Sequence, residues 1–163
     1  MISERRNVRY IEIRKLANRL IIMNIGEDSM NEKERVSYVK ALVYIALADN
    51  TIEEGEQKHL NQICTLYGLN DSELLEIQDC VVNKKESLEK ILSGITNRQM
   101  KLNLLFDLLA LCYADNNYSI LERQGMEKIC TMLKVEDSKL AQMEQLMEEQ
   151  VEFQKKVNQV LER

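Results

Sequence analysis

A chain of 163 residues with no proline, no tryptophan and only five glycines is long enough for one domain that buries roughly 70% of its unfolded surface, and its composition argues against a sheet, whose turns draw on glycine and proline. Leu, Ile, Met, Glu, Lys and Gln dominate instead, which favours helix. The net charge of −5 sets aside nucleic acid as a partner across the whole surface, because phosphate binding rests on clustered Lys and Arg.

Residues 1–26 read as a basic N-terminal helix, with Val8, Ile11, Leu16 and Leu20 at apolar positions and Gly26 as its terminator. Within residues 1–23, the six cations Arg5, Arg6, Arg9, Arg14, Lys15 and Arg19 outnumber Glu4 and Glu12, a net of +4 that leaves −9 for the remainder. The apolar positions are interrupted, so neither a signal peptide nor a membrane span of about 20 residues is readable. The expected address is the cytoplasm.

From Asn31 to about Ala48, the positions Val36, Val39, Leu42, Val43, Ala46 and Leu47 repeat with helical period. A short connection leads to a helix that starts at Thr51 or near Glu53, runs through Leu60, Ile63 and Leu66, and stops at Gly68. Asn70 with Glu73 caps a further helix through Leu74, Leu75 and Ile77, and 84–95 reads as a shorter one ended by Gly94. A second long helix begins near Asn97 and carries Leu102, Leu105, Leu108, Leu109 and Cys112. Ser119 and Glu122 form a capping-box pattern for the next. The last helix runs from about Asp137 to residue 163 with Leu140, Met143, Leu146, Met147, Val151, Phe153, Val157 and Val160. Its outer half needs a cover, either the N-terminal helix or a second copy of the chain.

The chain repeats itself. Ala48-Asp49-Asn50, Glu56 and Ile63-Cys64-Thr65 recur as Ala114-Asp115-Asn116, Glu122 and Ile129-Cys130-Thr131, each 66 residues on. The register extends from Leu42/Leu108 to Leu74/Leu140. We read an all-α bundle of two internally duplicated helical units, 31–95 and 97–147, in a single domain spanning 1–163 whose last helix continues past the second unit.

Most of what repeats is apolar or capping, but Asp49, Glu56, Asp115 and Glu122 are acids between apolar segments. Each Asp falls at a helix C-terminus, where the macrodipole disfavours it by about 0.3–1 kcal/mol, and each Glu in the first turns of the next helix. Capping is one account, since Asp and Asn form side-chain turns readily. A divalent cation of the Ca²⁺ or Mg²⁺ type is the other, because clustered carboxylates and loop carbonyls suit a hard ion that relieves their repulsion. Neither corner is an EF-hand loop: with Asp49 or Asp115 as the first loop position, the twelfth is Leu60 or Met126 where a bidentate Glu is required.

This pattern, an apolar helix ending Ala48-Asp49-Asn50, then Glu53-Glu54-Gly55-Glu56 and a stop at Leu66-Tyr67-Gly68-Leu69, repeated as Ala114-Asp115-Asn116 with Glu122, resembles the TerB-like family of tellurite-resistance proteins. It is also similar to the N-terminal domain of a membrane-anchored DnaJ-like co-chaperone. The resemblance covers about residues 31–147 and implies a helical bundle with pseudo-symmetry, an acidic metal-binding surface and a stress-response or scaffold role near the membrane. Asn50 and Asn116 replace the glycine that follows Asp in the family pattern, and Ser119 and Ile120 stand where the first unit has Glu53 and Glu54.

Other residues have plainer readings. His59, one turn beyond Glu56, could add a nitrogen ligand, but its counterpart is Gly125, which favours an exposed helix histidine. Tyr44, Tyr67, Tyr113 and Tyr118 flank the corners as gates or as boundary filler. Cys64, Cys80, Cys112 and Cys130 lack metal-ligand spacing and read as reduced core residues. No nucleophile with an adjacent base, phosphate-cradling glycine loop or zinc-hydrolase motif is present, so no catalysis is expected. The expectation is a non-enzymatic protein that binds a divalent cation through Asp49, Glu56, Asp115 and Glu122 and engages other proteins, some at the membrane. The alternative is a helical adaptor whose acidic corners are caps and whose terminal helices bind a partner or dimerise.

Overall fold

The computed structural model describes residues 31–46, 61, 67–113 and 118–161. Among them are six α-helices and no strand: α1 Glu32–Ala46, α2 Asp71–Val82, α3 Leu88–Ser93, α4 Arg98–Tyr113, α5 Ile120–Leu133 and α6 Asp137–Leu161. The fold is all-α, as the composition indicates. The described residues divide into two compact units, one ending at Met100 and the other starting at Lys101. The basic helix expected at 1–26 and the second helix of the first repeat, Asn61 apart, lie outside the described residues.

In the unit that ends at Met100, α1 packs on both α2 and α3. Asn31 opens α1: its Oδ1 accepts the Glu34 N–H at 2.9 Å while Glu34 Oε2 accepts the Asn31 N–H at 3.4 Å. Glu34 is buried because its other oxygen accepts from the Thr96 hydroxyl at 2.8 Å, tying the start of α1 to the loop after α3. A buried acid is tolerated where such partners satisfy it. Val39 and Val43 of α1 meet Leu74, Ile77 and Val81 of α2, with Leu69 closing the cluster. Gly94 lets α3 approach α1, for a Cβ there would stand 2.2 Å from the Ser37 Oγ.

The local stops follow from side-chain chemistry. Gly68 takes φ +71°, the left-handed conformation glycine adopts without strain. Asn70 and Glu73 then close both bonds of a capping box at the start of α2. The helix expected over 84–95 is shorter than its apolar pattern: Asn83 ends α2, Lys84 turns left-handed with φ 49°, and Ser87 caps α3 through the Lys90 N–H. Within α2, Leu74 and Ile77 are buried and Leu75 is 63% exposed.

In the unit from Lys101 onward, α5 packs on α6, and its buried residues Met126, Ile129, Cys130 and Leu133 form a stripe at i, i+3, i+4, i+7. α4 buries Leu104, Leu105, Leu108 and Leu109 completely. Leu102 was expected in that set but is only partly buried, and Leu104 takes the place instead. The Cys130 thiol donates to the Val135 carbonyl at 3.3 Å, and burial raises its pKa, so Cys130 behaves as a core residue. Cys80 and Cys112 are unbridged as well.

Helix starts and stops keep the 66-residue interval. α1 and α4 begin at Glu32 and Arg98, α2 and α6 at Asp71 and Asp137, and the left-handed residues Gly68 and Lys134 share the same offset. Asn97 serves α4 as Asn31 serves α1, its Oδ1 accepting the N–H of Gln99 at 2.8 Å and of Met100 at 3.3 Å. Burial recurs in step: Val39 with Leu105, Leu42 with Leu108, Val43 with Leu109 and Leu74 with Leu140. At one such pair the chemistry changes, since Ala41 corresponds to the buried acid Asp107.

Candidate functional site

Of the four acids singled out from the sequence, Asp49, Glu56 and Asp115 lie outside the described residues, as do His59 and Cys64. Glu122 is described, and its setting is definite. It occupies the third position of α5, where its Oε2 accepts the Ser119 N–H at 2.7 Å and its own N–H donates to Ser119 Oγ at 3.2 Å. Both halves of the capping box therefore form, satisfying two donors that a helix start would otherwise leave open.

Around this corner the described residues build a polar cluster. Tyr113 at the end of α4 and Tyr118 just before α5 stack with ring centroids 4.7 Å apart. The Tyr118 hydroxyl donates to Glu144 Oε1 of α6 at 2.8 Å, and Arg123 Nε lies 3.7 Å from the same oxygen. Arg123 also reaches Glu127 one turn along α5 at 3.6 Å. Glu148, one turn beyond Glu144, adds a second negative charge near the Tyr113 hydroxyl. Burial, followed by the charges of Glu148 and Glu144, pushes the Tyr113 hydroxyl up to about 12. Burial and the hydrogen bond to Glu144 raise Tyr118 as well. Both phenols thus hold their protons, and that of Tyr118 is donated to Glu144. The arrangement fixes the ends of α4 and α5 against α6, and it places four acids, Glu122, Glu127, Glu144 and Glu148, on the two helices beside the corner.

Sequence reasoning weighed Tyr113 and Tyr118 as gates against filler and missed their partners. Glu144 is 26 residues from Tyr118 and Glu148 is 35 from Tyr113, and no local pattern links them. The signal present in the sequence was their i, i+4 spacing on one face of α6. Tyr67, by contrast, packs into the core of the other unit with its ring centroid 4.9 Å from that of Tyr38, and Tyr44 lies against the same cluster. Among the described residues, no three His, Cys, Asp or Glu side chains converge as a metal-holding group, and no helix is long and apolar enough to cross a membrane.

Residues 21–79 match the family model for tellurite resistance protein TerB. The matched stretch contains Asp49 and Glu56 and ends within α2, so the second unit, 97–147, lies beyond it. No curated protein and no solved structure matches the chain.

Proposed function

We propose that this chain, TerB-like over residues 21–79, is a non-enzymatic module which binds a divalent cation through Asp49, Glu56, Asp115 and Glu122 and works by engaging other proteins, including proteins at the membrane surface. In this reading the two units descend from one duplicated helical unit, and the acids recur because both copies serve a shared cation-binding surface.

The observation that carries it is an asymmetry between the two glutamates. The capping box accounts for Glu122, because Ser119 supplies the accepting side chain. The residue 66 positions before Ser119 is Glu53, whose longer side chain is a poor N-cap. Glu56 is nevertheless kept at the matching position. Capping by itself leaves Glu56 without a reason, and a shared ion supplies one. The cap on Glu122 engages Oε2, and a carboxylate has a second oxygen to offer a hard cation of the Ca²⁺ or Mg²⁺ class. Tellurite, an oxyanion, would be repelled by such a surface, so any effect on tellurite resistance would be indirect.

A second reading is favoured at one position. Glu122 already completes a capping box with Ser119, which is what an adaptor with purely structural corners would show. The two readings separate in a calorimetric titration of Ca²⁺, Mg²⁺, Mn²⁺ and Zn²⁺ into chelator-stripped protein, beside the Asp49→Asn/Asp115→Asn double variant. Saturable binding that the variant loses is the expected result. Absence of binding to either protein would remove the cation and leave the capping account.

A further inference from the structure

α6 begins as the counterpart of α2 and then keeps going. Its first turns are ordinary core helix, with Leu140 and Met147 buried. On a neighbouring face and running past them, Leu146, Phe153 and Val160 are 54%, 66% and 83% exposed and stand seven residues apart. Interleaved at the complementary heptad positions are Met143, Gln150 and Val157, each partly buried. Together they form an alternating 3-and-4 seam, Met143-Leu146-Gln150-Phe153-Val157-Val160, the pattern by which one helix packs along another. Single exposed apolar residues need no explanation, but a run in heptad register does.

The residues flanking the seam say which helix fits. One flank, Leu140, Met147 and Gln154, is turned toward the chain's own unit, its first two members buried and the third partly so. The other flank carries Glu149 and Lys156, both exposed. If a second α6 lies antiparallel in the seam, Met143 meets Val160, Leu146 meets Val157, and Gln150 meets Phe153 of the other copy. The outer flanks then face each other, and Glu149 of each copy falls opposite Lys156 of the other. The two-fold axis makes both pairs at once. In a parallel arrangement Glu149 would face Gln154 and Lys156 would face Leu161, with no opposite charges matched.

We infer that the outer half of α6 is a self-association surface, occupied by the α6 of a second copy of this chain in antiparallel register with reciprocal Glu149 and Lys156 pairs. The internal partners of these two side chains are weak competitors: Gln145 donates to Glu149 at 2.9 Å and Lys156 reaches Glu152 at 4.0 Å, all on the exposed side of one helix. This inference draws on α6 alone and does not depend on cation binding at the corners.

The test is the molecular mass of the full chain by sedimentation equilibrium over rising concentration. The unmodified chain is expected to pass from monomer to dimer, and Phe153→Glu to remain monomeric. Because Phe153→Glu places a charge beside core-facing residues, the sharper variants are the exposed charge reversals. Glu149→Lys and Lys156→Glu each turn two attractive pairs into repulsive ones and should weaken the dimer about tenfold. Mixed together, the two variants regain opposite charges across the seam and should form a heterodimer as tight as the original. A chain that stays monomeric at every concentration would overturn the inference and hand the stripe to residues 1–26 or to another protein. A dimer indifferent to both reversals, or a mixture that does not recover, would overturn it equally.

Discussion

α2 and α6 start in the same way and end differently. Both begin at an aspartate 66 residues from its counterpart, and both follow a left-handed stop, Gly68 or Lys134. Both bury the same first positions, Leu74 with Leu140 and Val81 with Met147. The divergence comes one turn later. After Val82, Asn83 and the left-handed Lys84 end α2, whereas Glu148, Glu149 and Gln150 at the matching positions are good helix formers and carry α6 on to Leu161. Two chain segments with one core face thus acquire different surfaces. The face that packs is set by the early apolar spacing, and what is available for recognition is set by where the helix is allowed to stop.

The largest effects should fall where the two helices agree. Leu74→Ala and Leu140→Ala each empty a site that is at most 3% exposed, so each should cost about 2–5 kcal/mol in urea unfolding. Phe153→Ala, on the stretch that α2 lacks, should change the stability of dilute protein by less than about 0.5 kcal/mol. Equal costs at Leu140 and Phe153 would mean that the outer half of α6 is core after all, and the comparison would fail.

Alkaline unfolding probes the cluster that only α6 supports. The folded chain holds the Tyr113 proton up to about pH 12, whereas an unfolded tyrosine releases it near pH ~10. Folding is then fully favoured by this group below about pH 10, and that contribution disappears as pH rises through 12. Tyr118→Phe removes the bond to Glu144. The variant should be less stable than the parent at neutral pH and should show a shallower loss of stability above pH ~10. An alkaline limb identical to the parent's would show that the tyrosine cluster does not anchor α6.

The smallest expected effect concerns the stops themselves. Lys134 takes φ 56° where the equivalent residue is Gly68, so Lys134→Gly should stabilise the chain by up to about 1 kcal/mol in a thermal or urea melt. Gly68→Ala should destabilise it, since a side chain there is strained in backbone and would stand 3.3 Å from Arg35 Nη1. If Lys134→Gly costs stability, the equivalence of the two stops is only apparent.

These differences also mark what the sequence could disclose. Helix type, the caps Asn70 with Glu73 and Ser119 with Glu122, and the stop at Gly68 were all readable, because capping and left-handed turns depend on side chains a few residues apart. The length of the helix near 84–95 was not, since its apolar spacing continues backward through a turn that Asn83 and Lys84 break. Nor were the full burial of Tyr38 and Leu104 or the hydrogen bond from Thr96 to the buried Glu34, because each depends on elements distant in the chain. At the acidic corners, the residue types and their 66-residue recurrence were legible, while the partners that hold Glu144 and Glu148 beside the second corner were not.

The central claim is that the corner carboxylates bind a cation in addition to any capping they perform. Thermal melts with and without Ca²⁺ or Mg²⁺, on Glu122→Gln beside Ser119→Ala, separate the two roles most directly. Glutamine can still reach back to the Ser119 N–H, so Glu122→Gln keeps the box while losing the charge; Ser119→Ala loses the cap, at about 1 kcal/mol, while keeping the carboxylate. The account predicts that Ser119→Ala melts lower but is still stabilised by the cation, and that Glu122→Gln melts near the parent without added ion and gains little from it. A cation response that survives Glu122→Gln undiminished, or that the parent lacks altogether, would contradict it.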